Sequence, residues 1–202
     1  MNILEVAEII GIISFALSGF LIAVEVKLDI LGIFIASFLT ALGGGVIRDV
    51  IVGRELFAFS NNYASVLVIG VIMIAIFFKV QRMEEDIEKH PLFMSADTLG
   101  MVSFAISGAL VAQEVGFNFF GVMLLSLITA VGGGVMRDIL INKIPLILVS
   151  EFYGTVAIFV GILIFLLGVL SWLNPWTIIS VYVVGVWLRF VAVSKEWHLP
   201  KI

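Results

Sequence analysis

One ten-residue stretch, present twice, most limits what this chain can fold into. Thr40-Ala41-Leu42-Gly43-Gly44-Gly45-Val46-Ile47-Arg48-Asp49 returns as Thr129-Ala130-Val131-Gly132-Gly133-Gly134-Val135-Met136-Arg137-Asp138. Each copy lies inside an apolar run long enough to cross a bilayer. Within a helix, glycine costs about 1 kcal/mol relative to alanine, and a charge at the bilayer centre costs at least about 2.5 kcal/mol. A chain that puts three glycines and then Arg-Asp into such a run, twice, is expected to build a polar path through lipid, not merely to anchor itself.

The offset of 89 residues between the copies extends beyond the motif. Gly11, Ser14, Phe15, Ser18, Gly19 and Glu25 recur in phase as Gly100, Ser103, Phe104, Ser107, Gly108 and Glu114. Apolar segments run over about 3–24, 28–52, 62–80, 94–115, 117–141, 149–172 and 175–194, each near the roughly 20 residues a helix needs to span the hydrocarbon. Their apolar character is continuous instead of alternating, which excludes a β-barrel. With 62% hydrophobic and 13% charged residues, against about 25% charged in soluble domains, the expectation is an all-α integral membrane protein of seven transmembrane helices. Each repeat holds three spans, an odd number, so the second copy enters from the opposite face. The fold is therefore expected to be two inverted three-helix repeats plus a seventh helix, a transporter-like design. The boundaries are 1–80 for the first repeat, 81–93 for a cytoplasmic linker, 94–172 for the second repeat, and 173–202 for the seventh helix and C-terminal tail.

Basic residues set the orientation. Arg48 and Arg54 fall on the N-terminal side, whereas Lys27, Lys79, Arg82, Lys89, Arg137, Lys143, Arg189, Lys195 and Lys201 fall on the other. The positive-inside rule then places the N-terminus outside and the C-terminus in the cytoplasm. The N-terminus has no basic region of the signal-peptide kind, so the first helix is expected to be retained. Glu84-Glu85-Asp86 in the linker reads as a solvated face, with a divalent-ion sensor as the alternative. Trp172, Trp176 and Trp197 read as interfacial anchors, and His90 and His198 as solvated.

Several chemistries are excluded. The chain has no cysteine, hence no disulfide, thiol catalysis or iron–sulfur cluster. No Ser/His/Asp set, metal-ligand spacing or phosphate loop following a strand is present, so an enzyme is not expected. No basic soluble surface offers itself to nucleic acid.

The glycine triplets have two possible effects. They can let a helix bend or unwind, freeing carbonyls toward a cation, or let another backbone approach closely. Treating each span as straight and centred puts the two triplets on opposite sides of the midplane, with a charged pair beyond each and an hourglass between. Arg48 and Asp49, like Arg137 and Asp138, are sequence neighbours about 100° apart on a helix. Each is expected to find its partner on another helix, at a freed helix end or in water, as a charge at a pore mouth or in a gate; snorkelling arginines are the simpler alternative. Ser14, Ser18, Ser103 and Ser107 read as packing stripes or pore-lining hydroxyls. Thr40 and Thr129 stand close enough to donate to freed carbonyls. Glu8 and Asp97 correspond across the repeats, as do Glu25 and Glu114. All four read as headgroup carboxylates or as an acidic ring that concentrates cations.

The doubled S-F-A-x-S-G and G-G-G-V-x-R-D segments, with three-plus-three-plus-one spans, resemble the prokaryotic members of the trimeric intracellular cation (TRIC) channel family. The resemblance covers nearly the whole chain. It implies a homotrimer in the plasma or inner membrane, with one monovalent-cation (K⁺) pore per protomer. That pore would run between the second and fifth spans, kinked at Gly43, Gly44, Gly45, Gly132, Gly133 and Gly134. It implies no cofactor beyond permeant K⁺ or Na⁺ and bound membrane lipid. Animal members carry a lysine-containing motif where this chain has Arg-Asp twice, so their phosphoinositide site is not carried over. Relatives are also called glycine transporters, and a secondary transporter for glycine or another small amino acid stands as the alternative.

Overall fold

The computed structural model describes residues 3–80, 87, 90–149, 152–195 and 197. Among them every regular element is helical: α1 (Ile3–Glu25), α2 (Ile30–Val52), α3 (Phe57–Ser60), α4 (Asn62–Phe77), α5 (Pro91–Glu114), α6 (Phe119–Leu140), α7 (Leu146–Val149), α8 (Tyr153–Val169) and α9 (Pro175–Ser194). The acidic run Glu84-Glu85-Asp86, most of the linker and His198 lie outside the described residues.

Among the described residues five helices, α1, α2, α5, α6 and α9, are long and apolar enough to cross a membrane. The apolar segments 62–80 and 149–172 yield shorter helices, α4 with 16 residues and α8 with 17. At 1.5 Å per residue these reach only about 24–26 Å, short of a hydrocarbon core of about 30 Å. A one-turn helix precedes each of them, α3 before α4 and α7 before α8, which the apolar pattern does not reveal.

Local chemistry starts the helices at corresponding places. Asp29 Oδ1 accepts from Gly32 N at 2.7 Å and Asn118 Oδ1 from Gly121 N at 2.9 Å, capping α2 and α6. α5 begins ahead of its apolar segment because Pro91 occupies the first turn and His90 Nδ1 accepts from Leu92 N at 3.1 Å. His90 is thus a cap, not merely a solvated side chain. Asn174 starts α9 with a capping box closed by Thr177, and Trp172 and Trp176 stand exposed on either side of it. Asn174→Ala is expected to lower stability by about 1 kcal/mol, read as a modestly reduced thermal midpoint in detergent.

α1 packs along α5 and α2 along α6, the four forming the interior; α4 covers α1 and α2, α8 covers α5 and α6, and α9 lies on α5 and α8. Equivalent residues meet each other at the centre. The rings of Phe15 and Phe104 stack 5.4 Å apart. A Cβ on Gly11 would come within 2.9 Å of the Phe104 ring, and one on Gly100 would overlap the Phe15 ring. Contacts that map onto themselves when the partners are exchanged are those of a local twofold axis. Outside this core, large apolar side chains such as Ile30, Met73, Phe77 and Trp187 are exposed, as a lipid-facing surface requires.

Candidate functional site

α2 and α6 run as unbroken α-helix through both glycine triplets. The glycines act instead at the helix–helix contact. A Cβ on Gly44 would overlap the Thr129 carbonyl oxygen, and one on Gly133 would overlap the Thr40 carbonyl oxygen. A Cβ on Gly43 would lie 3.3 Å from Gly133 Cα, and one on Gly132 would lie 3.2 Å from Gly44 Cα. The two backbones therefore touch directly, in the arrangement that Cα–H···O=C contacts need. The sequence estimate had displaced the triplets to opposite sides of the midplane; the structure brings them together, because the helices cross where neither has side chains. The third glycine of each triplet, Gly45 and Gly134, faces away, with only the Arg48 and Arg137 guanidiniums near, at 3.9 Å.

Thr40 and Thr129 correct a second expectation. Their hydroxyls donate backward to Ala36 O and Leu125 O, each at 2.6 Å, not forward to freed carbonyls. In an intact helix a threonine Oγ1 lies over the preceding turn. Gly19 and Gly108 give these hydroxyls room, since a Cβ at either would lie within 2.7 Å of the threonine Oγ1.

The Arg-Asp pairs are buried, Arg48 at 1% and Arg137 at 0% exposure, so neither guanidinium snorkels to a surface. Neighbouring side chains also pair with each other, contrary to the angular expectation. Arg48 Nε and Nη2 lie 2.8 Å from Asp49 Oδ1, and Arg137 Nε lies 2.8 Å from Asp138 Oδ1. The long arginine stem folds back far enough to overcome the angular separation on the helix. The second aspartate oxygen is used as well: Asp49 Oδ2 accepts from Phe57 N and Asp138 Oδ2 from Leu146 N, both at 3.0 Å. Each aspartate thereby starts the one-turn helix that follows, α3 or α7, and ties it to α2 or α6.

The arginines reach further partners. Arg48 Nη1 forms an ion pair with Glu8 Oε1 at 2.8 Å and donates to Ser107 Oγ. Arg137 Nη1 donates to Ser18 Oγ at 2.9 Å and stands 3.9 Å from Asp97 Oδ1. Ser18 Oγ donates in turn to Asp97 at 3.1 Å. Aspartate is one methylene shorter than glutamate, and in the second cluster a serine hydroxyl bridges the gap. Ser18 and Ser107 thus join the ionic clusters of the opposite half, whereas Ser14 and Ser103 are buried outside them. Glu8 and Asp97, read from sequence as mouth carboxylates, are 3% and 4% exposed and act as counter-ions. A buried charge needs such a partner. Their matching places in both repeats were the available signal. α9 approaches the second cluster: the Arg189 guanidinium lies 4.9 Å over the ring of Tyr153, which lines the space beside Arg137 and Asp138.

A cavity of about 740 Å³ opens at the first cluster, lined among others by Glu5, Glu8, Arg54, Tyr63 and Glu114. Arg54 Nε stands 3.5 Å from Asp49 Oδ1. Three carboxylates and one guanidinium give this space an acidic balance, and Glu8 connects it to Arg48 beside the glycine crossing.

A solved structure described as the basis for conductance through TRIC cation channels shares this architecture. It aligns with a TM-score of 0.86 and 35% identity, over 98% of this chain and 96% of that one. The chain belongs to the TRIC family. A second solved structure, a prokaryotic TRIC channel in 0.5 M KCl, aligns with a TM-score of 0.87 and 29% identity, covering 98% of each chain. The family model described as "Glycine transporter" matches this TRIC-family chain twice, over residues 5–79 and 94–168. The UPF0126 membrane protein YvgT of Bacillus subtilis is 32% identical over 201 residues, 97% of this chain and 95% of its own length. The chain is thus a multi-pass membrane protein, and the solved structures to which it is similar are described as channels, not enzymes.

Proposed function

We propose that the protein is a cation channel, with K⁺ as its physiological ion and a path between α2 and α6 narrowed at the glycine crossing. The observation that carries this reading is the full-length likeness, at 35% identity, to a solved structure described in terms of cation conductance. The acidic cavity, which reaches Glu8 and through it the buried Arg48, supports it, since carboxylates at a mouth raise the local cation concentration. In this reading the seven apolar helices span the membrane as inverted repeats 1–80 and 94–172, joined by the 81–93 linker and followed by the 173–202 helix and tail. The N-terminus lies outside and the C-terminus in the cytoplasm. Three copies assemble, each with its own hourglass path and lipid around it, and no cofactor takes part. Gly43, Gly44, Gly132 and Gly133 form the neck, and opening bends the helices there. Arg48, Asp49, Arg137 and Asp138 flank it, while Ser18, Ser107, Thr40 and Thr129 hold the surrounding helices in register.

A carrier for glycine or another small amino acid is the second reading, favoured by the family model's description and by a cavity holding both carboxylates and a guanidinium. Proteoliposomes separate the two. The channel reading expects K⁺ efflux that does not saturate over millimolar K⁺ and no uptake of labelled glycine. Saturable glycine uptake without K⁺ efflux would overturn it.

A further inference from the structure

At the α2–α6 crossing the atoms nearest the missing Cβ positions are main chain, with two exceptions. Where a Cβ on Gly44 or Gly133 would sit, the nearest atoms belong to the backbone of the facing helix. Gly43 and Gly132 differ. A Cβ on Gly43 would lie 2.8 Å from Met136 Sδ, and one on Gly132 would lie 2.9 Å from Ile47 Cδ1. Each of these two side chains therefore ends in the notch that a glycine leaves on the other helix.

Helix geometry accounts for the pairing. Gly43 and Ile47 stand one turn apart on α2, as do Gly132 and Met136 on α6, and residues at that spacing share a face. Each helix thus offers a notch and, a turn later, a knob. The correspondence between the halves makes knob meet notch twice, Met136 at Gly43 and Ile47 at Gly132. Both knobs occupy the variable position of the doubled G-G-G-V-x-R-D segment, directly before Arg48 and Arg137. Both are half-buried, whereas the four glycines they bridge are buried. Backbone Cα–H···O=C contacts alone are second-order, so the seated side chains supply the adjustable part of the hold between α2 and α6.

We infer that Met136 and Ile47 are the positioning residues of the neck: seated in the Gly43 and Gly132 notches, they hold α2 against α6, and opening requires them to withdraw. This deepens the channel reading and rests on it. The two knobs differ in stiffness. Isoleucine, branched at Cβ, keeps one strongly preferred χ1 rotamer in a helix, whereas methionine is unbranched and adapts to irregular gaps. Met136 is accordingly the softer knob and Ile47 the stiffer.

Two measurements decide the inference. In detergent, the losses of thermal midpoint caused by Gly43→Ala and Met136→Ala should be less than additive in the double variant, because truncating the knob vacates the notch. Gly132→Ala and Ile47→Ala should behave alike. Additive losses in either cycle would overturn the seating of that knob, whether or not the protein conducts. In planar bilayers, Met136→Ala and Ile47→Ala should each raise the open probability about fivefold, equivalent to about 1 kcal/mol. Val50→Ala and Ile139→Ala, which shorten exposed side chains of the same two helices, should leave it unchanged. The exchanges Ile47→Met and Met136→Ile alter stiffness with little change in volume. They should move the open probability up and down respectively at a similar thermal midpoint, a split that a merely structural role would not produce. Wild-type currents whose open probability none of the four knob variants alters would overturn the inference and leave the channel reading standing. Wild type without current would overturn the channel reading, and the inference with it.

Discussion

Gly44→Ala and Gly133→Ala are each expected to destabilise the protein strongly, whereas Gly45→Ala and Gly134→Ala should stabilise it. The added methyl at Gly44 would fall on the Thr129 carbonyl oxygen and that at Gly133 on the Thr40 carbonyl oxygen. A backbone carbonyl held in a helix cannot swing aside as a side chain can, so α2 and α6 must separate. Overpacking costs about 1–3 kcal/mol, and the upper end applies because the obstacle is main chain. At Gly45 and Gly134 the nearest atom lies at 3.9 Å, an ordinary contact, and alanine recovers up to about 1 kcal/mol of helix propensity. Thermal unfolding of the four variants in detergent should therefore split each triplet by position. A uniform response would mean that the triplets act through helix flexibility and not through the crossing. Gly44→Leu and Gly133→Leu, which force a larger separation or block, should abolish K⁺ flux.

The second large effect concerns the buried charges. Arg48→Met leaves Glu8 and Asp49, 3% and 0% exposed, without their main cation. Removing one partner of a buried pair costs about 3–5 kcal/mol, and a protein held at the membrane with this loss should express poorly and unfold early. The double variant Arg48→Met/Glu8→Met should recover a substantial part of the loss. Asp49 then still has Arg54 at 3.5 Å and the Phe57 N–H at 3.0 Å. A double variant no more stable than Arg48→Met alone would show that Glu8 is not the counter-ion that matters. The equivalent cycle with Arg137→Met and Asp97→Leu should show weaker coupling, because that pair stands 3.9 Å apart and is bridged by Ser18.

The helical membrane class and the internal correspondence were legible in the sequence because both follow from composition and phase. The placement of α2, α6 and α9 was legible too, since the apolar segments 28–52, 117–141 and 175–194 bracket them. What pattern could not supply was the way the helices meet. Consecutive glycines are equally compatible with a bend and with a close crossing; only the crossing partner, itself a glycine triplet, decides. Glu8 and Asp97 looked like end-of-helix carboxylates because linear position carries no information on which helix lies alongside. α3 and α7 were invisible because two aspartates from the preceding helices start them, and one turn has no periodicity to read. The shortness of α4 and α8 likewise depends on chain diverted into those turns.

Whether the α2–α6 crossing carries cations is most directly tested by unitary currents of the purified protein in a planar bilayer under a KCl gradient. The expected result is discrete currents that reverse near the K⁺ equilibrium potential and vanish in Gly44→Leu. Currents of unchanged amplitude in both Gly44→Leu and Gly133→Leu, from protein shown to be folded, would contradict a path through the crossing.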